Sequence, residues 1–373
     1  MVGDSDRSAG QTGRVRQRHV VPGDDRSSGV RTDWVLDVEL DQFIAAVEVL
    51  RHPELAGLPL VVGGRGDPTE RGVVSTASYE AREHGVGSGM PLRTAARKCP
   101  DAVFLAVDAP AYDAASARVM DTLRGFDVPV EVLGWDEAFL GVETEDPQGF
   151  ADDVRAAVLE ATGLHCSVGI GDNKLRAKIA TDFGKPRGTF TLTEDTWFEV
   201  MGDRPTDALW GIGRKTAARL AGLGIHTVSE LAATEAQVLA DRLGPTMGPW
   251  YRRLGRGVDT SPVDASPYVP RGHGRETTFQ HDLTNWDEVA AETRRLALAV
   301  LEDVRAEGRP AVRVGMKLRY VPFETRTRSL TLPAETLDEA TVLAAAGDLL
   351  GRFDHARAVR LVGVRLEMAP PPP

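Results

Sequence analysis

The sequence predicts a multidomain protein of the α+β class. At 373 residues, the chain is long enough for two or more domains with a sizeable buried core. Its first half contains short segments with strand character that carry clustered acids. Its last hundred residues show the order strand, helix, strand, strand, helix, strand, which is typical of a split βαβ sheet with two helices on one side.

The first acidic segment spans residues 34–41, where apolar and acidic side chains alternate. As a strand, it places three apolar side chains on one face and three carboxylates on the other: Leu36, Val38 and Leu40 opposite Asp37, Glu39 and Asp41. Carboxylates stacked this closely repel one another, and a bound cation is the usual reason to keep them. An edge strand with a solvated acidic face is the alternative.

The second acidic segment is a predicted hairpin. Residues 128–133 and 139–142 read as its strands, with Asp136 and Glu137 at the bend. Acids at a hairpin tip are usually only solvated. Beside the first strand, however, they would complete a site of at least three carboxylates, a ligand set for two divalent ions in in-line phosphoryl transfer.

Two motifs in these segments resemble those of a known family. The pattern ExDxFxAxVE runs from Glu39 to Glu48, and WDEAFL runs from Trp135 to Leu140. Together they resemble the Y-family, or translesion, DNA polymerases, most closely the bacterial DNA polymerase IV type. The resemblance extends from about Trp34 to about Arg365, and the separate motifs occur in the family's order.

The resemblance implies a right-hand polymerase with a palm, small fingers, a helical thumb and a βαββαβ little-finger domain. The implied division is palm at 34–42 and 109–197, fingers at 43–108, thumb at 198–263 and little finger at 269–368. A disordered tail is expected at 1–30, and a proline tail at 369–373.

Composition predicts a cytoplasmic protein. Cys99 and Cys166 are too few for a disulfide framework, no apolar run is long enough to span a membrane, and residues 1–30 lack the apolar core of a signal peptide. The formal net charge of −11 argues against nucleic-acid binding as a first hypothesis. DNA binding therefore requires local clusters of basic residues.

The predicted fingers contain a strand that leads into a helix within residues 72–82, followed by a loop at 85–91. Tyr79 and Arg82 would share one face of that helix, and the planar fork of an arginine is suited to gripping a triphosphate. Such a pair taken alone is more often a surface feature. The resemblance assigns nucleotide contacts to Thr76, Tyr79 and Arg82.

The second part of the predicted palm has helices beginning near Ala111 and at 147–162, then a strand at 165–170. A glycine turn and a basic helix follow, an order that suits a phosphate site. Residues 173–186 match the family element NKxxAKIAxDxxKP. By resemblance, Lys185 reaches the incoming triphosphate and Lys178 has a more structural role.

Residues 198–263 read as a small helical unit that resembles the thumb. Gly211 and Gly213 form a Gly-x-Gly hairpin, with Arg214 and Lys215 directly after it. In a helix-hairpin-helix, such glycines let backbone N–H groups approach a DNA phosphate without reading sequence. An ordinary helical turn with glycines for packing is the alternative.

The C-terminal pattern contains the basic cluster that the net charge conceals. Its predicted elements are 274–281, 286–307, 311–320, 325–332, 337–353 and 360–367. Apolar residues of the third element alternate with Arg313, Lys317 and Arg319, and Arg326 and Arg328 stand beside it. A solvated sheet face is the alternative. The resemblance implies a little finger whose opening strand contains Arg275, and its patch would grip duplex backbone in a salt-sensitive manner.

Three positions depart from the family pattern. Glu39 stands where the family has its first catalytic aspartate, and Ile44 where it usually has a Tyr or Phe that excludes ribonucleotides. Residues 369–373 contain no Gln-containing apolar motif for a sliding clamp. These departures concern catalytic competence, sugar selectivity and recruitment to replication forks, respectively.

The sequence thus predicts a template-directed translesion DNA polymerase with weakened sugar discrimination. Glu39, Asp136 and Glu137 would hold two Mg²⁺ or Mn²⁺ ions, with the Leu40 carbonyl as a further ligand. Phe43 and Ile44 would lie beneath the incoming sugar, although Ile44 as simple core packing is the alternative. The expected partners are primer–template DNA and nucleoside triphosphates, and the protein is expected to be a monomer.

The alternative hypothesis is a non-enzymatic function. The protein would then be a polymerase-shaped DNA-binding or scaffold protein that has lost most of its catalytic activity. Glu39 and the existence of inactive relatives in the family favour it. The retained Asp136, Glu137, Tyr79 and Arg82 oppose it, because a scaffold released from catalysis has little reason to keep them. The enzyme is therefore the preferred hypothesis.

Overall fold

The computed structural model describes residues 33–371. The predicted tail at 1–30 and the last two prolines of the tail at 369–373 lie outside this range. Within it, no helix is both long enough and apolar enough to cross a membrane.

The elements follow one another in four regions. The chain begins with β1 (Trp34–Leu40), α1 (Phe43–Arg51), β2 (Leu60–Val62), β3 (Thr76–Ala77), α2 (Tyr79–Glu83), α3 (Leu92–Lys98) and β4 (Val103–Leu105). It continues with α4 (Ala109–Arg124), β5 (Val130–Val132), β6 (Glu137–Val142), α5 (Pro147–Thr162), β7 (Cys166–Gly171), α6 (Lys174–Gly184) and β8 (Thr189–Leu192). Next come α7 (Trp197–Met201), α8 (Arg214–Ala221), α9 (Val228–Ala233), α10 (Ala236–Leu243) and α11 (Met247–Gly255). The last region has β9 (Gly272–Leu283), α12 (Trp286–Glu307), β10 (Ala311–Tyr320), β11 (Glu324–Thr336), α13 (Glu339–Leu350) and β12 (Val359–Met368).

The predicted palm is a five-stranded sheet in the order β5-β6-β1-β7-β8. β1 lies at its centre and pairs antiparallel with both β6 and β7. The apolar side chains of β1 pack into a core formed with α1, α4 and α5. The opposite, acidic face lies beneath α6, so the alternative of an edge strand with a solvated face is wrong.

Helix α6 lies unusually close to this sheet. A Cβ atom placed on Gly169 of β7 would lie 2.0 Å from the carbonyl oxygen of Ala177, so only glycine allows the two backbones to approach this closely. Asn173 begins the helix by accepting a hydrogen bond from Arg176 N at 2.9 Å. The resulting placement brings Lys178 and Thr181 of α6 over the acidic face of β1.

The predicted fingers contain a small sheet in the order β3-β2-β4. The strand expected from Gly72 onwards is only two residues long, because Val74 N donates instead to Met90 O of the following loop. Ser78 caps α2 by accepting from Ala81 N at 3.3 Å. The expected change from strand to helix is therefore confirmed, with a shorter strand.

The helical unit that follows the palm in the chain, α7 to α11, contains the predicted Gly-x-Gly hairpin. Gly211 adopts a φ of +96°, a conformation that favours glycine, and it lies against Trp250. The chain then enters α8 at Arg214. Gly213, Arg214 and Lys215 are exposed at this point.

The C-terminal region is a four-stranded antiparallel sheet in the order β11-β10-β12-β9. Helices α12 and α13 pack on one face, where they form a core with the apolar side chains of β10 and β12. This arrangement confirms the predicted split βαβ sheet.

Candidate active site

The candidate site is built on two neighbouring strands of the palm. Glu39 of β1 is the direct cross-strand partner of Glu137 of β6, so their side chains leave the same face side by side. Asp37 lies two residues before Glu39 on that face. One carboxylate oxygen from each of the three lies within 4.8 Å of the others. The strand register thus places Glu39 beside Glu137, and the third member of the compact group is Asp37 and not the predicted Asp136.

Lys178 of α6 occupies the centre of this group. Its Nζ lies 2.5 Å from Glu39 Oε2, 3.1 Å from Glu137 Oε1 and 3.6 Å from Asp37 Oδ2. Burial lowers the pKa of Lys178, but attraction to the three carboxylates outweighs it, and the pKa lies well above its ordinary value. The sequence suggested only a structural role for this lysine, because nothing in the local pattern shows what its amine faces.

Asp37 is fully buried, with 0% of its surface exposed. The hydroxyl of Thr181 donates to its Oδ2 at 2.5 Å, whereas its Oδ1 has no hydrogen-bond partner among residues 33–371. Burial raises the pKa of Asp37 well above its ordinary value, and Glu137 and Glu39 add to the shift while Lys178 opposes it. The alternation within 34–41 placed Asp37 on this face, but no signal in the sequence distinguished it from a solvated acid.

Glu39 lies between two lysines. Lys185 Nζ is 2.6 Å from its Oε1, while Lys178 binds its other oxygen. Burial raises the pKa of Glu39, but the two ammonium groups outweigh burial and hold the pKa below its ordinary value. Glu39 is therefore the most readily ionised of the clustered acids.

Asp136 lies at the bend of the hairpin, as expected, whereas Glu137 already begins the return strand β6, two residues earlier than predicted. The carbonyl of Asp136 accepts a hydrogen bond from Leu40 N at 2.8 Å, which ties the hairpin to the end of β1. Burial and, next in size, the charge of Glu39 raise the pKa of Asp136. Burial also raises the pKa of Glu137. Asp136 is near enough for its charge to interact with Glu39, but it is not a member of the compact group of three.

The donor set suits a divalent cation. Three carboxylates face two ammonium groups, those of Lys178 and Lys185, and one buried oxygen of Asp37 lacks a partner in the described part of the chain. Hard oxygen ligands of this kind are those that Mg²⁺ and Mn²⁺ prefer. The residues therefore fit a metal site.

The predicted nucleotide-contacting pair forms a stacked unit at the edge of the fingers. The guanidinium of Arg82 lies over the ring of Tyr79, 4.9 Å from its centroid, so the expected shared face is confirmed. Burial and Asp41 together raise the pKa of Tyr79, whose hydroxyl donates to Asp41 Oδ1 at 2.8 Å. Thr76 lies in β3, directly before this unit.

Asp41 joins the palm to the fingers. It is buried and accepts hydrogen bonds from Ser167 Oγ and from the backbone N–H of Arg187, both at 2.9 Å, besides the one from Tyr79. Sequence reasoning placed Asp41 with the acids of β1 but did not identify this role. Three donors hold this carboxylate in place, so Asp41 positions the Tyr79 side chain.

The residues proposed to lie beneath the sugar begin α1. Phe43 and Ile44 are buried, and both belong to the palm core. Ile44 is 8% exposed, so most of its surface packs against neighbours. A role in sugar selection therefore stays a prediction.

The chain is similar to known DNA polymerases over most of its length. The family model described as the impB/mucB/samB family matches residues 38–182, and that for its C-terminal domain matches residues 270–371. DNA polymerase IV 2 of Mycobacterium tuberculosis is 50% identical over 340 residues, which cover 90% of this chain and 98% of the relative. DNA polymerase IV of Methanoculleus marisnigri is 41% identical over 341 residues, covering 90% and 94%. The chain belongs to the Y-family of DNA polymerases.

Solved Y-family polymerases have the same fold. A Y-family polymerase chimera of Dbh and Dpo4 superposes with a TM-score of 0.80 at 26% identity, covering 90% of this chain and 98% of the other. The insertion ternary complex of Dbh DNA polymerase gives a TM-score of 0.62 at 26% identity with the same coverage. The predicted right-hand polymerase fold and the assignment as a DNA-directed polymerase of the translesion type are confirmed. Enzymes of this family use divalent metal ions, and their substrates are primer–template DNA and nucleotides.

The little finger of this polymerase carries basic residues on both faces of its sheet. On β10, Arg313, Lys317 and Arg319 point away from the helices. On β11, Arg326 and Arg328 are paired with Leu318 and Met316 of β10, which face the helices. The single basic patch expected from the sequence is therefore divided between two faces, because cross-strand partners share a face.

The open face contains further charges. Lys317 Nζ lies 2.6 Å from Glu276 Oε2, and Arg313 Nη1 lies 3.6 Å from Glu367 Oε2. Arg365 of β12 is paired with Gly315 and so joins this face. Arg365 is not among the predicted DNA-binding residues, although the alternation in β12 places it on this face.

Arg275 lies on the helix-bearing face of the sheet. Its guanidinium donates two hydrogen bonds to Asp303 of α12, at 2.7 and 2.8 Å. This geometry separates Arg275 from Arg313 and Lys317, with which the sequence had grouped it. The bidentate pair fixes α12 on the opening strand of the little finger.

Proposed function

We propose that this polymerase extends a primer by two-metal nucleotidyl transfer, with Glu39, Asp136 and Glu137 as metal ligands and the Leu40 carbonyl as a further ligand. The observation that carries the proposal is the direct pairing of Glu39 with Glu137 on the central strands of the palm. In such sites, the bound ions lower the barrier by activating the primer 3′-hydroxyl and by neutralising charge on the triphosphate. The primer 3′-oxygen attacks the α-phosphorus, and pyrophosphate leaves.

Lysine side chains balance the charge of the acids before a metal ion arrives. Lys178 contacts all three members of the compact group, and Lys185 holds the free oxygen of Glu39. A divalent ion on Glu39 would replace the Lys185 contact and release its ammonium. Lys185 is only partly buried, and we propose that it then turns to the incoming triphosphate.

The fingers supply the remaining positive charge for the nucleotide. Arg82 stacks on Tyr79, and its Nε donates to Ala77 O at 3.0 Å, so its guanidinium is held by the chain beside it. An arginine fixed in this way loses little freedom on binding phosphate oxygens. We assign Arg82 and Tyr79 to the triphosphate, with Thr76 beside them.

Two departures from the family pattern set the finer properties of the enzyme. Glu39 is one methylene longer than aspartate, and Mn²⁺, which is less demanding in geometry than Mg²⁺, fits the displaced carboxylate better. Ile44 lacks the aromatic ring that usually excludes a 2′-hydroxyl, so the steric clash with a ribonucleotide is reduced. We therefore propose a preference for Mn²⁺ and weak sugar discrimination.

The DNA would lie along the thumb hairpin and the open face of the little finger. Gly211, Gly213, Arg214 and Lys215 offer backbone N–H groups and charge to phosphates. Arg313, Lys317 and Arg319 offer a row of cations on one face. Contacts from Arg275, Arg326 and Arg328 stay predictions, since these residues lie on the other face. The protein would act as a cytoplasmic monomer without a C-terminal clamp motif.

A primer-extension assay of the wild type and Asp136→Ala, in Mg²⁺ and in Mn²⁺, tests the proposal. The variant is expected to lose extension in both metals while duplex binding, measured by fluorescence anisotropy, is retained. Asp121→Ala on the exposed side of α4 is the matched control and should behave as the wild type. Normal extension by Asp136→Ala would show that the ligand assignment is wrong. A wild type that binds duplex but extends in neither metal would favour the scaffold hypothesis.

A further inference from the structure

Phe323 stands at the turn between β10 and β11 of the little finger. Its side chain is 63% exposed, at the end of the sheet where β10 ends and β12 begins. A large aromatic ring held in water at a tight turn contributes little to the core. The exposed ring is therefore accessible to a binding partner.

Two arginines flank the ring. The Cζ atom of Arg360 lies 4.7 Å from the ring centroid, and that of Arg319 lies 5.3 Å from it. Arg319 also donates to Thr325 Oγ1 at 3.0 Å, which fixes its direction along the open face. An aromatic ring beside guanidinium groups offers stacking and phosphate binding in the same place.

The surroundings of the ring are positively charged. Arg71 of the fingers reaches this end of the sheet, where its Nη1 lies 2.6 Å from Asp282 Oδ1 and 3.0 Å from Phe279 O. Burial lowers the pKa of Arg360, and repulsion by Arg71 and Arg319 lowers it further, against the opposing charge of Asp282. The neighbouring acid Glu324 is bound by Arg326 and Arg357. An added anion would relieve this repulsion.

The position of Phe323 indicates which part of a DNA substrate would meet it. Arg313 lies near the opposite end of β10, about 20 Å or more from the turn at the usual rise per residue, and Lys317 lies between Arg313 and the turn. The fingers, which contain the proposed nucleotide contacts, meet β9 at this same end of the sheet through Arg71. Duplex already synthesised would lie along the row of cations, and the strand still to be copied would pass the turn.

We propose that Phe323, with Arg319 and Arg360, forms a stacking site for an unpaired base of the template strand ahead of the position being copied. The proposal rests on the function proposed above. Bases in a duplex are stacked on their neighbours and leave no face for a side chain, whereas an unpaired base has a free face. The positive charges of Arg71, Arg319 and Arg360 favour a polyanion over an apolar protein surface as the occupant.

The test compares two DNA substrates at one fixed salt concentration. One is a primer–template with a single-stranded 5′ template overhang, and the other is a blunt duplex of the same paired length. Phe323→Ala is expected to weaken binding of the overhang substrate about tenfold, in the range found for single base–aromatic contacts. Binding of the blunt duplex should not change. Phe323→Trp should retain the preference for the overhang.

Two controls separate stacking from other effects. Phe198→Ala removes a phenyl ring that is 51% exposed on α7 and should bind both substrates as the wild type does. An overhang of abasic nucleotides keeps the phosphates but removes the bases, so it should bind the wild type as weakly as the normal overhang binds Phe323→Ala.

The outcomes separate this proposal from the polymerase assignment. An unchanged overhang affinity in Phe323→Ala would overturn the stacking site and would favour a protein partner for this turn. An equal loss on both substrates would also overturn it, since the ring would then serve the duplex. Neither result depends on catalysis, because binding is measured without nucleotide and Asp136→Ala is expected to show the same overhang preference as the wild type.

Discussion

Lys178 and Asp37 are brought to within 3.6 Å of each other although 140 residues of chain lie between them. The same ammonium is bound more closely by Glu39 and Glu137. The charge of these acids is thus partly neutralised by the chain itself, and a metal ion bound there would compete with this lysine for the carboxylates.

Shortening Glu39 should change the choice of metal. A carboxylate one methylene longer shifts either its backbone or the metal by about 1.5 Å, which catalysis tolerates poorly. We expect weak activity of the wild type in Mg²⁺, clear activity in Mn²⁺, and a gain in Mg²⁺ for Glu39→Asp. Steady-state primer extension in each metal measures this. Glu137→Asp is the matched control and should lose activity in both metals. Full Mg²⁺ activity of the wild type, with damage by Glu39→Asp, would mean that the site is fitted to the longer acid.

An aromatic ring at position 44 should restore sugar discrimination. We expect the wild type to insert ribonucleotides at rates approaching those for deoxyribonucleotides. Ile44→Phe should improve discrimination at least tenfold, about 1.4 kcal/mol of transition-state stabilisation. Single-nucleotide insertion of matched dNTP and rNTP measures the ratio.

Ile44→Leu serves as the control for this change, because it keeps the volume without adding a ring. Ile44 is mostly buried, so thermal unfolding should accompany the kinetics to detect overpacking. Strong rejection of ribonucleotides by the wild type, or no effect of the ring, would assign Ile44 to core packing alone.

Neutralising Asp37 should stabilise the metal-free protein at neutral pH. The pKa of this acid is raised in the folded state, so between its unfolded and folded values the folded protein binds more protons, and stability falls as the pH rises. Asp37→Asn removes this cost and still accepts a hydrogen bond from Thr181. Urea unfolding in EDTA should show the variant to be more stable than the wild type at pH 8, with the difference shrinking toward pH 4.

The exposed acid Asp121 again provides the comparison, since Asp121→Asn should show no such pH-dependent gain. A lower stability of Asp37→Asn at pH 8 would show that the attraction between Asp37 and Lys178 exceeds the cost of burying the carboxylate.

Removing the Arg71 side chain should loosen the contact between the fingers and the little finger. The change deletes the ion pair with Asp282 and the hydrogen bond to Phe279 O, while Arg71 N still donates to Gln280 Oε1. Hydrogen bonds to charged groups contribute about 1.5–3 kcal/mol each. We expect a larger radius of gyration by small-angle X-ray scattering and faster proteolysis between residues 257 and 271.

Arg93→Ala is the appropriate control for Arg71→Ala. Arg93 also belongs to the fingers, but it donates to Thr69 O within the same region. A radius of gyration that changes equally in both variants would indicate a general effect on the fingers. An unchanged value for Arg71→Ala would mean that other contacts hold the two regions together.

Local periodicity predicted much of the architecture. Helices α5 and α12 occupy the predicted ranges 147–162 and 286–307, because each has a clear cap and an apolar face. The split βαβ sheet followed from the order of these elements. The pairing of Arg328 with Met316 did not, because a hairpin's register depends on its turn, and a shift of one residue moves each side chain to the other face.

The acidic site was predicted only in part, because some of its contacts depend on packing between distant segments. Glu39 and Glu137 could be predicted as site residues, because the alternation and the family motif that indicate them are visible within a single segment of sequence. The contacts of Asp37 with Thr181 and Lys178 arise only when α6 crosses β1, and Tyr79 meets Asp41 only when the fingers pack on the palm. Long-range packing of this kind has no signature in one segment.

Gly169 connects this packing with the chemistry. Any larger residue there would strike the backbone of α6, and the helix would have to rise from the sheet. Lys178 and Lys185, which lie in α6 and directly after it, would be carried away from the acids, leaving those carboxylates to repel one another. The charge balance of the acidic group therefore depends on a residue without a side chain, which lies directly beside Asp37 on the neighbouring strand.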